Sequence, residues 1–481
     1  MRLSMLAVVA GKSRAITALV VCAGLLFGGV IAARHAPSTQ PGLSEERGLD
    51  PDGKGGEKRP TGLSFEKQTR VERYPHPSTL VTTLDAERVW SGYDDWEPAI
   101  AIHPTNANIV YQATTRYNGP KACNGCPFPV IVVRKSTDGG NTWGPDRFAP
   151  NVKKSQNDPE IEVATDGTLY MAYMDAYTPG VAFSKSSDGG VTWTTAIHFM
   201  PPGKKFTDKP ILAISPNGQD VYIGFNSSDN YVATSHNYGA SFTTSAKLNA
   251  DTRYWFHTAG AVAPNGDVYF ITSDFTQDYT GDGYISVMRS TNHGASWTIT
   301  RVDTSKEMPD CPWSPGCTFG FFGTIAGLAI DPNGKVMIAY NANNAVRAPM
   351  QLYARSSTDG FTWSARQDLG AGAAYNHCNV AVAAGRVSGA FAVVWQDDRN
   401  GVNTAFNAWM RRTTNGGGTW DTASRLSDQT TGAPYKSAAG HKFPYGDYLE
   451  VASNANGDYL AIWGEGISYT GPGGTWYTRS H

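Results

Sequence analysis

The chain has 481 residues, with 40 Lys and Arg against 42 Asp and Glu. That near-balance leaves no basic footprint for a nucleic acid. Charged residues make up only 17% while glycine numbers 52 and aromatics reach 11%, a composition that favours many short strands joined by turns.

The first segment, residues 1–36, reads as a targeting element. Arg2, Lys12 and Arg14 precede the apolar run Ala15–Ala33, which ends in small residues suited to cleavage after Ala32 or Ala33. A signal peptide and an uncleaved anchor both fit, and either exports the chain to the periplasm, the cell surface or the medium. The rest of the sequence holds no other stretch long and apolar enough to span a membrane. Residues 37–73 are rich in Pro, Gly and charge and read as a disordered linker. Residues 74–481 read as one domain.

Within that domain a turn motif recurs six times, Ser/Thr-x-Asp/Asn-x-Gly-x-Thr/Ser-aromatic, the fifth copy being one residue short. The copies close on Trp143, Trp193, Phe242, Trp297, Trp363 and Trp420, about 50 to 66 residues apart. Asp138, Asp188, Asn237, Asn292, Asp359 and Asn415 supply the short side chain that can bond to a backbone N–H two residues on and hold a tight turn. Gly140, Gly190, Gly239, Gly294, Gly360 and Gly417 supply the positive φ. The closing aromatic buries a large surface between repeats. The motif is structural, not catalytic.

Each repeat has one internal order. A short apolar strand comes first, predicted over Glu97–Ile102, Pro159–Val163, Pro210–Ile214, Gly260–Ala263, Ala326–Ile330 and Val380–Ala383. A tight turn follows, such as Asn217-Gly218, Asn265-Gly266 or Asn333-Gly334. An alternating aromatic strand is next, as in Val268–Thr272 or Phe391–Gln396. A longer loop leads to a third strand, such as Val130–Lys135 or Gln351–Arg355, and the motif turns that strand into a fourth. Four antiparallel strands repeated radially predict an all-β fold, a β-propeller. A seventh unit runs from Tyr448–Ala452 through Tyr459–Trp463 to Trp476–Ser480 and stops one strand short. The missing strand is predicted within Thr79–Trp90, closing a seven-bladed ring; six blades is the competing count.

Five cysteines follow the leader. Cys123 with Cys126, and Cys311 with Cys317, read as local disulfides in an exported protein, a redox or zinc pair being the rival reading. Cys378 reads as a small core residue.

The motif and its repetition resemble the Asp-box, or BNR-repeat, superfamily that includes sialidases. The resemblance covers about Thr79–His481. It implies a sialidase-like propeller whose relatives include glycoside hydrolases, polysaccharide lyases and non-catalytic assembly factors. A sialidase of this kind grips a substrate carboxylate with three arginines, the first in a Phe/Tyr-Arg-Ile-Pro segment. Here the matching stretch is Trp96-Glu97-Pro98-Ala99-Ile100, with Glu97 in place of that arginine.

Strand alternation puts the loops between second and third strands on the face where first strands begin. Long loops on a rigid frame are where function concentrates. The predicted catalytic residues there are Asp158, Glu160, Asp208, His257, His377, Tyr445 and Asp447. Arg116, Lys209, Arg253, Arg399, Trp255 and Tyr375 are the predicted substrate-binding residues. Carboxylates and imidazoles serve as acids and bases, cations hold an anionic sugar and aromatics offer platforms. The bland alternative for Asp158 and Asp208 is capping of a strand start. For Asp397 to Gly401 it is a local ion-paired turn. The expected function is a secreted, monomeric glycoside hydrolase acting on extracellular, anionic glycans. A glycan- or protein-binding propeller and a lyase using His257 or His377 as base are the alternatives. No cofactor is required on this reading; calcium suits the Asp-rich loops, but no known calcium-loop spacing is present.

Overall fold

The computed structural model describes residues 84–481 apart from 177, 278–280, 311–321, 371–373, 401–404, 435–445, 447 and 467–472. The predicted leader and linker, and the Cys311–Cys317 pair, lie outside the described residues.

Seven antiparallel sheets follow one another along the chain, each innermost strand first. The inner strands are Asp94–Ile102, Gln156–Val163, Asp208–Ile214, Tyr254–Val262, Ala326–Ile330, His377–Ala384 and Glu450–Ser453, in blades 1 to 7. Each touches the inner strands of the blades on either side, so they line a closed ring. The fourth strand of blade 7 is Arg88–Val89, paired with Gly473–Ser480 through Arg88 opposite Tyr477 and Val89 opposite Trp476. Leu84 adds a bridge to Ser480. The ring closes by the predicted N-terminal strand, which leaves blade 7 no unpaired edge there.

The Asp-box turns hold as expected, with one correction. In the full-length boxes the Asp or Asn oxygen reaches the amide four residues on, not two: Asp138 Oδ1 accepts from Thr142 N at 2.9 Å and Asn415 Oδ1 from Thr419 N at 2.9 Å. The bond from the amide two residues on goes instead to the leading hydroxyl, Asp138 N to Ser136 Oγ at 3.3 Å. The shortened fifth box compensates: Gly360 N reaches Ser357 Oγ from three residues on, where Gly140 N reaches Ser136 Oγ from four.

Each closing aromatic packs into the seam with the preceding blade. Trp193 joins the cluster shared by blades 1 and 2, Phe242 that of blades 2 and 3, Trp363 that of blades 4 and 5 and Trp420 that of blades 5 and 6. Burying such a side chain contributes about 1.5–3 kcal/mol, so the turn motif also fastens one sheet to the next.

Cys123 and Cys126 form a disulfide, and Cys378 is a free, buried thiol. Among the described residues no helix is long and apolar enough to cross a membrane.

Several predicted first strands begin too late. The inner strand of blade 2 starts at Gln156 rather than Pro159, that of blade 4 at Tyr254 rather than Gly260, and that of blade 6 at His377 rather than Val380. The final one begins at Glu450, two residues later than predicted. The early starts have a common cause in the backbone. The strands continue through β-bulges that look like breaks in the sequence.

Candidate functional site

Those bulges build the mouth of the ring. In blades 1, 2, 3 and 6 the inner strand loses register for two residues, between Trp96 and Ala99, Asn157 and Glu160, Asp208 and Ile211, and Cys378 and Ala381. One residue in each bulge has a left-handed backbone: Glu97 at φ 53°, Asp158 at 51°, Lys209 at 49° and Asn379 at 49°. Non-glycine residues resist this region, at a cost of about 1–3 kcal/mol each. In the first three blades a proline follows, which needs no ladder N–H. A repeated bulge of this kind re-aims a side chain out of the pleat.

The bulge residues of blades 1 to 3 contact one another, Glu97 through the Asp158 backbone and Asp158 through the Lys209 side chain. Glu97 Oε2 accepts from Thr115 Oγ1 at 2.5 Å and from Asp158 N at 3.1 Å, and Tyr117 OH donates to Glu97 Oε1 at 3.4 Å. Lys209 Nζ donates to Asp158 Oδ1 at 3.1 Å and lies 5.2 Å from the centre of the Tyr448 ring. Glu97 and Asp158 are buried, whereas the Lys209 side chain keeps 18% of its surface exposed. Glu97, Asp158, Lys209 and Tyr448 thus form a continuous arc across blades 1, 2, 3 and 7.

Below that arc sit three glutamates of the inner strands, each partly accessible: Glu160 and Glu162 of blade 2 and Glu450 of blade 7. Glu450 Oε2 accepts from Ile100 N at 2.7 Å, and the Glu160 and Glu450 carboxyls are near enough to perturb each other's ionisation. Carboxyls held close together disfavour ionising both, which raises their pKa values. Desolvation pushes Glu450 up to about 8 and Glu162 to about 7. Glu160 rises well above the carboxylate range through desolvation and the charges of Glu450 and Glu162.

The other candidates divide by surroundings. Asp208 accepts from Lys209 N at 2.9 Å, the capping role. Arg116 is fully buried, with Nε 2.8 Å from Asp95 Oδ1 and Nη1 2.5 Å from Asp146 Oδ2. Burial works to lower its pKa and is outweighed by those carboxylates, which raise it. Arg253 pairs with Asp274 and lies 4.3 Å over Tyr284. Desolvation lifts Asp274 to about 6 even against that cation. Arg399 Nη2 stands 2.6 Å from Asp397 Oδ2, and its guanidinium lies 3.8 Å over Trp409 and 5.1 Å over Tyr375. Each arginine is thus engaged within its own blade or loop; the structure does not bring the three together. Trp255 donates from Nε1 to Asp251 Oδ1 at 2.8 Å.

Both histidines are buried in seams. His257 Nε2 is 2.5 Å from Asn230 Oδ1, and desolvation drops its pKa to about 3. His377 Nδ1 donates to Met350 O at 2.8 Å; desolvation lowers its pKa against the opposing charge of Asp397, 3.9 Å away. Tyr445 and Asp447 lie outside the described residues. Among the described residues no group of three or more His, Cys, Asp or Glu is arranged to hold a metal ion.

Sequence reasoning passed over Glu162 and Glu450. The signal was present: Glu162 stands at an inner-strand position where the other six blades carry alanine, and Glu450 stands at the position of Glu160, where the others carry Ala, Gly or Ile.

No family model matches the chain. It is similar to a xyloglucanase of a Paenibacillus species, 25% identical over 302 residues, or 57% of this chain and 27% of that protein. It is likewise similar to a xyloglucanase of Hypocrea jecorina, 25% identical over 343 residues, 63% of this chain and 38% of that one. The chain therefore spans less than two-fifths of the length of either curated relative. Among solved structures, a Hadza microbial sialidase aligns at TM-score 0.42 and 14% identity, covering 80% of this chain and 65% of that one. Seven antiparallel sheets closed in a ring, joined through Asp-box turns, make the chain a seven-bladed β-propeller.

Proposed function

We propose that the chain is an exported carbohydrate-active enzyme, a glycoside hydrolase that receives a glycan at the mouth formed by the inner-strand bulges. One observation carries the reading. Asp158, paired with Lys209 at 3.1 Å, and Glu160 stand two residues apart on one inner strand at the mouth, and burial with the Glu450 charge raises Glu160 well above the ordinary carboxylate range. Glycosidic hydrolysis needs an acid still protonated at working pH to protonate the leaving oxygen, and a second carboxylate to activate water or attack carbon. On this reading Glu160 is the acid, Glu450 keeps it protonated, Asp158 is the second carboxylate, and Lys209 holds Asp158 and meets anionic substituents of the sugar. Asp208 positions Lys209 through its backbone amide. The xyloglucanase relatives support a carbohydrate substrate, and the basic and apolar leader supports export.

The test is turnover by the purified protein on a panel of xyloglucans, sialosides and uronate-containing polysaccharides. Release of reducing ends should be abolished by Glu160→Gln and by Asp158→Asn, with the folded state intact by circular dichroism. Full turnover in both variants would remove these residues from the mechanism. Tight glycan binding without turnover anywhere on the panel would make the chain a binding propeller, and an ultraviolet-absorbing unsaturated product would make it a lyase.

A further inference from the structure

The opposite face of the ring, where the Asp-boxes lie, carries a feature that the mouth does not use. The residue before the final glycine of a full-length box has a left-handed backbone. Three boxes fill it with glycine: Gly139 at φ 73°, Gly189 at 74° and Gly416 at 70°. The blade 3 box places Tyr238 there at φ 60°, and the blade 4 box His293 at φ 55°. A bulky L-residue resists this conformation, and such strain persists where surrounding bonds over-determine it. Here they do: Tyr238 N donates to Gln219 O at 2.9 Å, and Lys185 Nζ donates to Tyr238 O at 2.6 Å. The side chain so held is 46% exposed and packs into no core cluster, so folding draws little from it.

Tyr238 borders an open groove of about 390 Å³ between blades 2 and 3. Its walls include Trp193, Tyr170, Asp166, Lys185 and Thr192. The equivalent groove between blades 5 and 6 has nearly the same size, about 380 Å³, and is lined by Asp331, Asn333, Lys335, Ser388 and Asn415 with no aromatic. Grooves of like size thus sit at two blade seams, and of these two the one between blades 2 and 3 has the aromatic lining. Rigid aromatic faces beside a few hydroxyl, carboxylate and ammonium groups match a pyranose, which has an apolar C–H face and a polar rim.

We propose that this groove is a second glycan site, which docks a polysaccharide chain with one sugar ring against Tyr238, on the face away from the hydrolytic mouth. The inference rests on the carbohydrate reading above for its ligand class. It does not depend on the catalytic residues.

Affinity electrophoresis through gels containing the same soluble polysaccharides tests it, with Tyr238→Gly as the variant. Glycine relieves the left-handed strain and removes the platform, so a merely structural role and a binding role move in opposite directions. Tyr238→Gly should weaken retardation by about ten-fold while raising the melting temperature. Retardation unchanged by Tyr238→Gly overturns the site. Turnover on the panel with no retardation of the wild-type protein also overturns it and leaves the hydrolase reading standing. Retardation lost in Tyr238→Gly without turnover by any form supports the groove while the hydrolase reading fails.

Discussion

Lys209 Nζ lies 3.1 Å from Asp158 Oδ1, and both residues occupy left-handed bulge positions in adjacent inner strands. The pair therefore joins two strained turns at the rim of the ring. Strain at both ends gives the contact a structural role and a positioning role together. Asp158→Ala should leave the half-buried ammonium of Lys209 short of its counter-charge and cost about 1–3 kcal/mol, less than a fully buried pair because Lys209 still meets solvent. Urea unfolding of Asp158→Ala, Lys209→Met and the double variant measures the coupling. Strictly additive losses would show that the two side chains do not depend on each other.

Ring closure should be sensitive to alkali. Glu87 follows the bridge at Leu84 and immediately precedes the closing strand, and its carboxyl interacts electrostatically with Glu465 of blade 7. Asp428 N donates to Glu87 Oε2 at 3.0 Å, and Trp463 Nε1 donates to Glu465 Oε2 at 2.9 Å. Desolvation lifts Glu465 to about 7 and raises Glu87 well above its ordinary value, with the Glu465 charge adding to the rise. The folded state thus holds these protons more tightly than the unfolded chain does. The associated stability is full below the unfolded carboxyl pKa, near 4.5, and is lost as pH rises through about 7. Glu162 and Glu450 act in the same direction, at about 7 and about 8. Melting temperature should fall between pH 5 and pH 9, and Glu465→Gln should flatten the decline. A rising or level profile in the wild-type chain would contradict the assignment.

The closing strand itself should matter more than its two residues suggest. Trp90 N donates to Thr475 O at 2.9 Å and Asp85 N to Arg479 O at 2.9 Å, so the strap is bonded on both sides of Arg88–Val89. Trp90 also joins the core shared by blades 7 and 1 and meets Trp143 edge-on at 6.4 Å. A chain begun at residue 91 loses this edge cover and a large buried indole, together about 3–5 kcal/mol. Differential scanning calorimetry should show a clear drop in melting temperature and raised aggregation; an unchanged melting temperature would mean the strap does not close the ring.

Gly224 of blade 3 makes a close interblade approach to His257 of blade 4. A Cβ on Gly224 would stand 2.3 Å from His257 Nδ1 and 2.7 Å from Cε1. Gly224→Ala should cost about 1–3 kcal/mol by overpacking. Adding His257→Ala removes the obstacle and should recover part of that loss, as read from chemical denaturation of the single and double variants. A double variant no better than the sum of the singles would place the strain elsewhere.

The blades were legible because their signals are local. Trp143, Trp193 and Trp420 close turns whose bonds span only four residues, as with Ser136 and Gly140, so the motif specifies its own conformation. The closing strand was legible by subtraction, since the last repeat stopped one strand short. The inner-strand starts were hidden because the predicted strands began at Glu97, Pro159 and Pro210, inside the bulges at Glu97-Pro98, Asp158-Pro159 and Lys209-Pro210. In the sheet they are bulges through which pairing resumes two residues later. Glu450 was hidden for a different reason: its partner Glu160 is almost the whole propeller away in sequence.

The amino-acid order alone determined a seven-fold repeat of short strands, the turn that joins the third strand to the fourth in most blades, and an N-terminal strand to complete the circle. These follow from contacts a few residues apart and from the count of strands. Only the tertiary structure decided which charged groups meet. It confined Arg116, Arg253 and Arg399 to separate ion pairs and set Glu160 against Glu450 beneath Asp158 and Lys209. Charge chemistry depends on distance and desolvation, and both are set by how the blades pack around the axis rather than by any stretch of sequence.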